Sequence, residues 1–339
     1  MSSLRLRVLQ LLLPLILVNF AMAQEVSDEE WAKYKAQYNK HYIFNDNYHR
    51  GIYSRRVQAV AENNKLYEEK KVGFKMRINK LSDIDQSVLS SFRTHVKMPP
   101  DTGSNSVTKT PSYKHYDEIT EGIDWRQYGY MSPVEDQGSD CQSCWAFSSS
   151  GCMEAHLAKK TGKLEPLSPK HLMDCVPPPS NGCERGWVTL AFKYARNHAI
   201  KSKESYPYNP HKDTCPFEND NSTGILSGHV TMNNYDEKEM AEVVYNIGPV
   251  TASIDHLHEE FTEYQSGVLN IPDCRKERRR LTHSMLVVGF GTDPDWGDYW
   301  LIKNSYGTTW GEKGYVRLAR NANNSCGIAS YPQYPILID

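Results

Sequence analysis

Cys144, His283 and Asn304 set the strongest demand on how this 339-residue chain can fold. The cysteine stands in Gln137-Gly-Ser-Asp-Cys-Gln-Ser-Cys144-Trp145-Ala-Phe147, where the pattern predicts the opening of a helix. The histidine stands far downstream in Thr282-His283-Ser284, and the asparagine in Lys303-Asn304-Ser305-Tyr306-Gly307. A thiol that attacks a carbonyl needs a base beside it and a group that orients the base. A free thiol is mostly protonated at neutral pH; a helix N-terminus and an adjacent imidazolium stabilise the thiolate and lower its pKa. The fold must therefore bring three distant side chains together.

These motifs resemble the papain family of cysteine proteases, and within it the cathepsin L type. The resemblance covers nearly everything after the leader, from an inhibitory-type propeptide through a complete catalytic domain. It implies an α+β, two-lobed papain-like fold, a helical lobe plus a β-barrel-like lobe with the cleft between them, preceded by a helical propeptide. It implies Cys144 as nucleophile, His283 as general base and acid, and Asn304 as the residue that orients the imidazole. Gln137 matches the side chain that shares the oxyanion hole with the Cys144 backbone N–H. His283 lies within the usual span of about 130–150 residues after the cysteine, and Asn304 slightly beyond it. Gly186, Trp187, Val188, Ser253, Thr282 and Tyr331 match positions that bind the extended substrate and line its main specificity pocket. Tyr331 at the pocket base predicts a shallow site for aliphatic side chains.

Composition bounds the rest. The net charge of −2 points to neither nucleic acid nor a polybasic membrane contact. Residues 1–23 carry Arg5 and Arg7, an apolar run from Leu9 to Val18, and Ala21-Met22-Ala23, which reads as a secretory signal. Pro14 and Asn19 break the run before it reaches the roughly 18 apolar residues of a membrane anchor. Eight cysteines in a secreted chain imply disulfides whose connectivity spacing alone leaves open. The resemblance implies Cys141–Cys183, Cys175–Cys215 and Cys274–Cys326, leaving Cys144 for chemistry and Cys152 as a small buried hydrophobe.

Residues 24–98 read as a helical inhibitory propeptide, with Trp31, Tyr34 and Tyr38, then Tyr53, Val57 and Val60, at helical spacing. The family's helix motif fits at Tyr53, Val60 and Asn64 and departs at Asn45, His49 and Arg56. A shorter motif survives as Asn79-x-Leu81-x-Asp83. Residues 99–122 read as a linker containing the activation cleavage, and 123–339 as the catalytic domain. Within the latter a helix runs from Cys144 to about Lys160, another follows Ser168-Pro169, and a third carries Val188, Ala191, Phe192 and Ala195. Beyond Asn233 short β-rich runs are expected.

Several features admit other readings. Cys141-Gln-Ser-Cys144 has redox-dithiol spacing, without the βα frame that such a motif needs. His256-x-His258 lacks a ligand partner at zinc spacing and reads as two surface residues. Neither metal nor cofactor is expected. Three departures surround the nucleophile: one extra residue between Gln137 and Cys144, Gln142 in place of a glycine, and the basic loop Arg275-Lys-Glu-Arg-Arg-Arg280, read as a solvated turn. Tyr306 replaces the family's first tryptophan. Asn221 and Asn323 are glycosylation acceptors. The leading expectation is a monomeric secreted or lysosomal endopeptidase made as a zymogen. Its partners would be peptide and protein substrates, its own propeptide, and cystatin-like or propeptide-like inhibitors. The alternative is a degenerate papain-like protein that binds peptides or inhibitors without turnover.

Overall fold

The computed structural model describes residues 25–86, 113–218 and 222–338; the leader and Asn221 lie outside them. In the propeptide, α1 (Asp28–Gln37) opens with a capping box: Ser27 accepts from the Glu30 N–H, and Glu30 accepts from the Ser27 N–H. Trp31 and Tyr34 of α1 pack on Tyr53 of α2 (Asp46–Glu68), with the Tyr34 and Tyr53 rings 4.2 Å apart. The chain then enters β1 (Phe74–Met76), a strand that the helical reading of this segment did not include.

The helical lobe is built on α3 (Cys144–Thr161), closed by Gly162 at φ +75°. It continues with α4 (Pro169–Cys175), where Ser168 accepts from the His171 N–H and proline takes the first turn. The third helix, α5 (Val188–Ala195), buries Val188, Ala191, Phe192 and Ala195.

Strands β2 (Ile123–Asp124), β3 (Leu226–Thr231), β4 (Val250–Ile254), β5 (Tyr264–Leu269), β6 (His283–Asp293), β7 (Gly297–Lys303), β8 (Tyr315–Ala319) and β9 (Gln333–Leu337) join β1 in one sheet. The path runs β1-β5-β8-β7-β6-β4-β9-β3, with β2 added on β6, and it does not close into a ring. Two helices interrupt the stretch read as β-rich: α6 (Glu237–Asn246) and α7 (Glu259–Thr262). The signal for α6 was present, since Asp236 accepts from the Glu239 N–H and Met240, Ala241, Val243 and Val244 form a buried helical stripe.

α3 lies against β6 through small side chains: a Cβ on Gly151 would stand 3.3 Å from Leu286 Cδ2. Disulfides join Cys141–Cys183, Cys175–Cys215 and Cys274–Cys326, leaving Cys144 and Cys152 as thiols. Cys152 is buried and its thiol is pushed above the ordinary range by that burial, which suits a core residue. The N-terminus of α3, the start of β6 and the end of β7 meet at one point.

Candidate active site

Cys144 is the first residue of α3, so the positive end of the helix faces its sulfur. The neighbouring Ser284 N–H, from the first residues of β6, donates to Cys144 Sγ at 3.5 Å. This contact brings the thiol to the residue next to His283. On the other side of the imidazole, His283 Nε2 lies 2.7 Å from Asn304 Oδ1. The Ser305 N–H also donates to that oxygen, at 2.8 Å. A backbone N–H can only donate, so the atom it meets must be the amide oxygen, and His283 Nε2 must carry the hydrogen. Nδ1 is then the nitrogen left for proton transfer. Cys144, His283 and Asn304 are all buried.

Gln137 is also placed here, despite the extra residue in its loop. Its Oε1 accepts from Ser305 Oγ at 2.6 Å, and one hydrogen of its amide is donated to the Cys141 carbonyl at 2.8 Å. The second amide hydrogen remains for an oxyanion. Gly138, at φ +82°, turns the chain after Gln137, and the Cys141–Cys183 bridge pins the far end of the loop. Gln142 is buried, with its N–H donated to the Cys183 carbonyl at 2.7 Å. Tyr208 ties the loop to the helix start through Gln137 O at 2.7 Å and Ser143 Oγ at 2.9 Å. Burial pushes its phenol up to about 12, so it stays a neutral donor.

Around the imidazole stands an aromatic wall. The Tyr306 ring lies 4.9 Å from His283, and Trp310 meets Tyr306 edge-on at 5.7 Å. Phe261 of α7 approaches His283, Tyr306 and Trp310. A phenol thus stands where the family's indole was expected. His256 completes the wall, and this overturns its reading as a surface residue. It is buried, 4.9 Å from the His283 ring, with Nδ1 2.7 Å from Thr282 Oγ1. His258 is also partly covered and lies 3.2 Å from Asp255. Asp255, His258 and Cys274 bring ligand-type atoms within 4.8 Å of one another. They do not suit a metal, because Cys274 is spent in a disulfide and Arg275 takes both Asp255 oxygens.

The residues expected to bind substrate fall into two groups. Gly186 lies flat against the Trp145 indole, where a Cβ would come within 2.0 Å of the ring, and Trp187 and Val188 follow it into α5. Ser253, Thr282 and Tyr331 belong to the β-rich side, with Ser253 Oγ 3.0 Å from Ser284 Oγ. Tyr331 OH joins the groups by meeting Thr189 Oγ1 at 2.9 Å, a partner that sequence reasoning missed. Of the two glycosylation acceptors, Asn323 is exposed, at φ +56°.

The propeptide docks beside this site. β1 pairs antiparallel with β5, and a Cβ on Gly267 would collide with the Gly73 carbonyl at 2.2 Å. Asn79 Nδ2 donates to the Thr262 carbonyl at 2.8 Å and to Glu263 at 3.0 Å; Ser82 Oγ donates to Glu263 at 2.6 Å. Arg56, at the motif position that departs from the family, lies 3.1 Å from Glu259 and 3.7 Å from Glu263.

Comparison with known proteins agrees with this arrangement. Residues 119–336 match the papain family cysteine protease model, and residues 31–87 the cathepsin propeptide inhibitor domain. Cathepsin L of Sarcophaga peregrina is 37% identical, the match covering 97% of this chain and 98% of the relative. Cathepsin L1 of Drosophila melanogaster is 38% identical over 96% of this chain and 91% of the relative. The structure of digestive procathepsin L 3 from Tenebrio molitor larval midgut superposes with a TM-score of 0.79 at 34% identity, covering 91% of this chain and 98% of that one. The chain belongs to the papain family of cysteine proteases, as a cathepsin L-like zymogen that carries its own propeptide inhibitor domain.

Proposed function

We propose that this zymogen matures to an endopeptidase that cleaves extended peptide segments through an acyl-thioester on Cys144. The Cys144 thiolate attacks the scissile carbonyl, and the Cys144 N–H and the free Gln137 amide hydrogen receive the oxyanion. The His283 imidazolium gives its Nδ1 proton to the departing amine. The same nitrogen then takes a proton from water, whose hydroxide displaces the sulfur and releases the acid. The observation that supports this reading is the Ser305 N–H on Asn304 Oδ1, because it assigns the hydrogen to His283 Nε2 and leaves Nδ1 for the thiol. Gly186 and the walls from Val188, Ser253, Thr282 and Tyr331 receive the substrate in this reading.

Residues 1–23 act as a secretory signal, and the protein works in the lysosome or outside the cell as a monomer, with cystatin-like inhibitors among its partners. Residues 24–98 form the inhibitory propeptide, 99–122 the segment cut on activation, and 123–339 the mature enzyme. Among the described residues no helix is long and apolar enough to cross a membrane.

The test is labelling of the activated protein with a thiol-reactive epoxide, alongside hydrolysis of a fluorogenic dipeptide panel. One label per chain is expected, lost in Cys144→Ala and in His283→Ala, with turnover lost in parallel. A folded protein that neither labels nor cleaves would instead be a binder of peptides or inhibitors.

A further inference from the structure

The basic loop before His283 divides into three fates. Arg275 is held by Asp255, with Nε and a terminal nitrogen 2.8 and 2.7 Å from the carboxylate. Arg279 and Arg280 are exposed. Arg278 does neither: its guanidinium carbon lies 3.3 Å from the centroid of the Tyr331 ring, and its Nε is buried without a hydrogen-bond acceptor. Among the described residues no carboxylate forms an ion pair with it. A ring face attracts a cation without neutralising it.

Tyr331 stands close to the nucleophile. Thr251 pairs with Gln333 across β4 and β9, so carrying that register two residues onward sets Tyr331 beside Ser253. Ser253 pairs with Ser284 across β6, and the Ser284 N–H touches Cys144 Sγ. Two strand spacings, about 10 Å, therefore separate the Tyr331 backbone from that of Ser284. The loop bearing Arg278 cannot drift from this wall. It is fastened by the Cys274–Cys326 bridge, by Arg275 on Asp255, and by Ser330 Oγ donating to the Lys276 carbonyl at 2.5 Å. Lys276, Arg279 and Arg280 add positive charge, and Glu277 is the loop's single acid.

We propose that Arg278 is a specificity-determining residue that makes the main pocket select an acidic side chain, Asp or Glu, at the second residue before the scissile bond, and reject Lys or Arg there. This rests on the protease reading above and replaces the expectation of a purely aliphatic pocket. The substrate carboxylate supplies the counter-charge that Tyr331 cannot, and the planar guanidinium offers it a fork of donors.

The test uses the full chain, activated by its own processing, with four fluorogenic substrates that differ only in Glu, Gln, Leu or Lys at that position. At pH 6 the wild type is expected to favour Glu over Gln on the order of tenfold in kcat/KM, the scale of one hydrogen bond to a charged group. The preference should fade as the substrate acid protonates near its ordinary pKa of about 4.3. Arg278→Lys should keep part of it, Arg278→Met should abolish it, and Arg278→Glu should transfer it to Lys. Turnover of the Leu substrate should rise in Arg278→Met, whose apolar side chain suits Leu better than a guanidinium does, and should persist in every variant, since Arg278 touches none of the reacting groups. A Glu-to-Gln ratio near one in the wild type, or one unmoved by Arg278→Met and Arg278→Glu, overturns the assignment while leaving the protease intact. If even the Leu substrate survives untouched and Cys144 does not label, the protease reading falls and this inference with it.

Discussion

At the scale of single residues, the proposed mechanism depends on how firmly the His283 imidazole is held. Asn304 fixes one edge of His283 in the ring plane, but it does not stop the ring from tilting. Tyr306, Phe261 and His256 do that by contact. His256→Ala should therefore open space beside His283 and lower kcat about tenfold with little change in KM, since a loosened base loses reactive geometry before it loses binding. His256→Phe restores ring volume and should recover most of the rate. Steady-state kinetics on both variants, with the alkylation rate of Cys144 as a second readout, check this; equal kcat for the alanine variant and the wild type would sink it. The sequence made Cys144, His283, Asn304 and Gln137 legible because each sits in a local motif. His256 was illegible for the opposite reason. It follows the strand β4, and only the pairing of Ile254 with His283 carries it to the site. Nothing in His256-x-His258 encodes that pairing. Thr189, under Tyr331, was hidden in the same way.

At the scale of elements, the propeptide seam shows how a departure from a family motif can still be specific. Arg56 breaks the expected pattern of α2, yet it is the residue that reaches Glu259 and Glu263 of the enzyme. The aromatic stripes of α1 and α2 were readable from spacing, whereas β1 was not, because a three-residue strand acquires its identity from β5 alone. The seam also decides part of the response to acid. Burial pushes the Glu263 carboxyl up to about 8, although Ser82 and Arg56 pull it down; at 3.7 Å the Arg56 contact is too long for a full hydrogen bond. A carboxyl raised on docking takes up a proton on docking. Its contribution is fully present below the ordinary value of 4.5 and is lost as pH rises toward 8. Glu263 therefore grips the propeptide harder in acid and cannot be its acid release. Asp46 has the opposite sign: the hydrogen bonds from Lys35 and Trp31 lower it, so its tie between α1 and α2 holds above the ordinary 3.8 and fails as pH falls. Two outcomes follow for zymogen activation followed by epoxide labelling across pH 4–8. Glu263→Gln should leave the acid midpoint in place and reduce labelling at pH 8, because the amide mimics the docked, neutral acid. Asp46→Asn should move the midpoint upward. If Glu263→Gln abolished acid activation, the sign assigned to this seam would be wrong.

At the scale of the whole molecule, the proposed mechanism sets its base on one lobe and its nucleophile on the other, so the two lobes must be fixed against each other. Much of this junction is apolar, where α3 lies on β6, but behind the catalytic groups it is charged. Glu154 of α3 accepts from the Leu167 N–H at 2.7 Å and from Ser132 Oγ at 2.6 Å. Lys303, the last residue of β7, donates to the Ser132 carbonyl at 2.7 Å and to Ser132 Oγ at 3.0 Å. The serine hydroxyl thus passes one hydrogen toward Glu154 while receiving one from Lys303. Burial raises the Glu154 carboxyl and lowers the Lys303 amine, so each ion depends on the other's charge across Ser132. Asn304 follows Lys303 directly, which places the carboxamide that orients His283 one residue from this link. Lys303→Met leaves the Glu154 carboxylate without its cation in a buried setting. A cost of about 3 kcal/mol is expected, or roughly 10 °C in Tm for a domain of this size. Glu154→Gln should cost a similar amount by stranding the ammonium. Together, Glu154→Gln and Lys303→Met remove both charges, and the double variant should lose no more than either single one, a coupling energy of about 3 kcal/mol. Thermal unfolding of the four proteins closes this cycle. Lys303→Met should also lower kcat more than it raises KM, because Asn304 moves with the strand end. Strict additivity of the two single losses would mean that the lobes are held by apolar packing alone and that the charges behind Asn304 act independently.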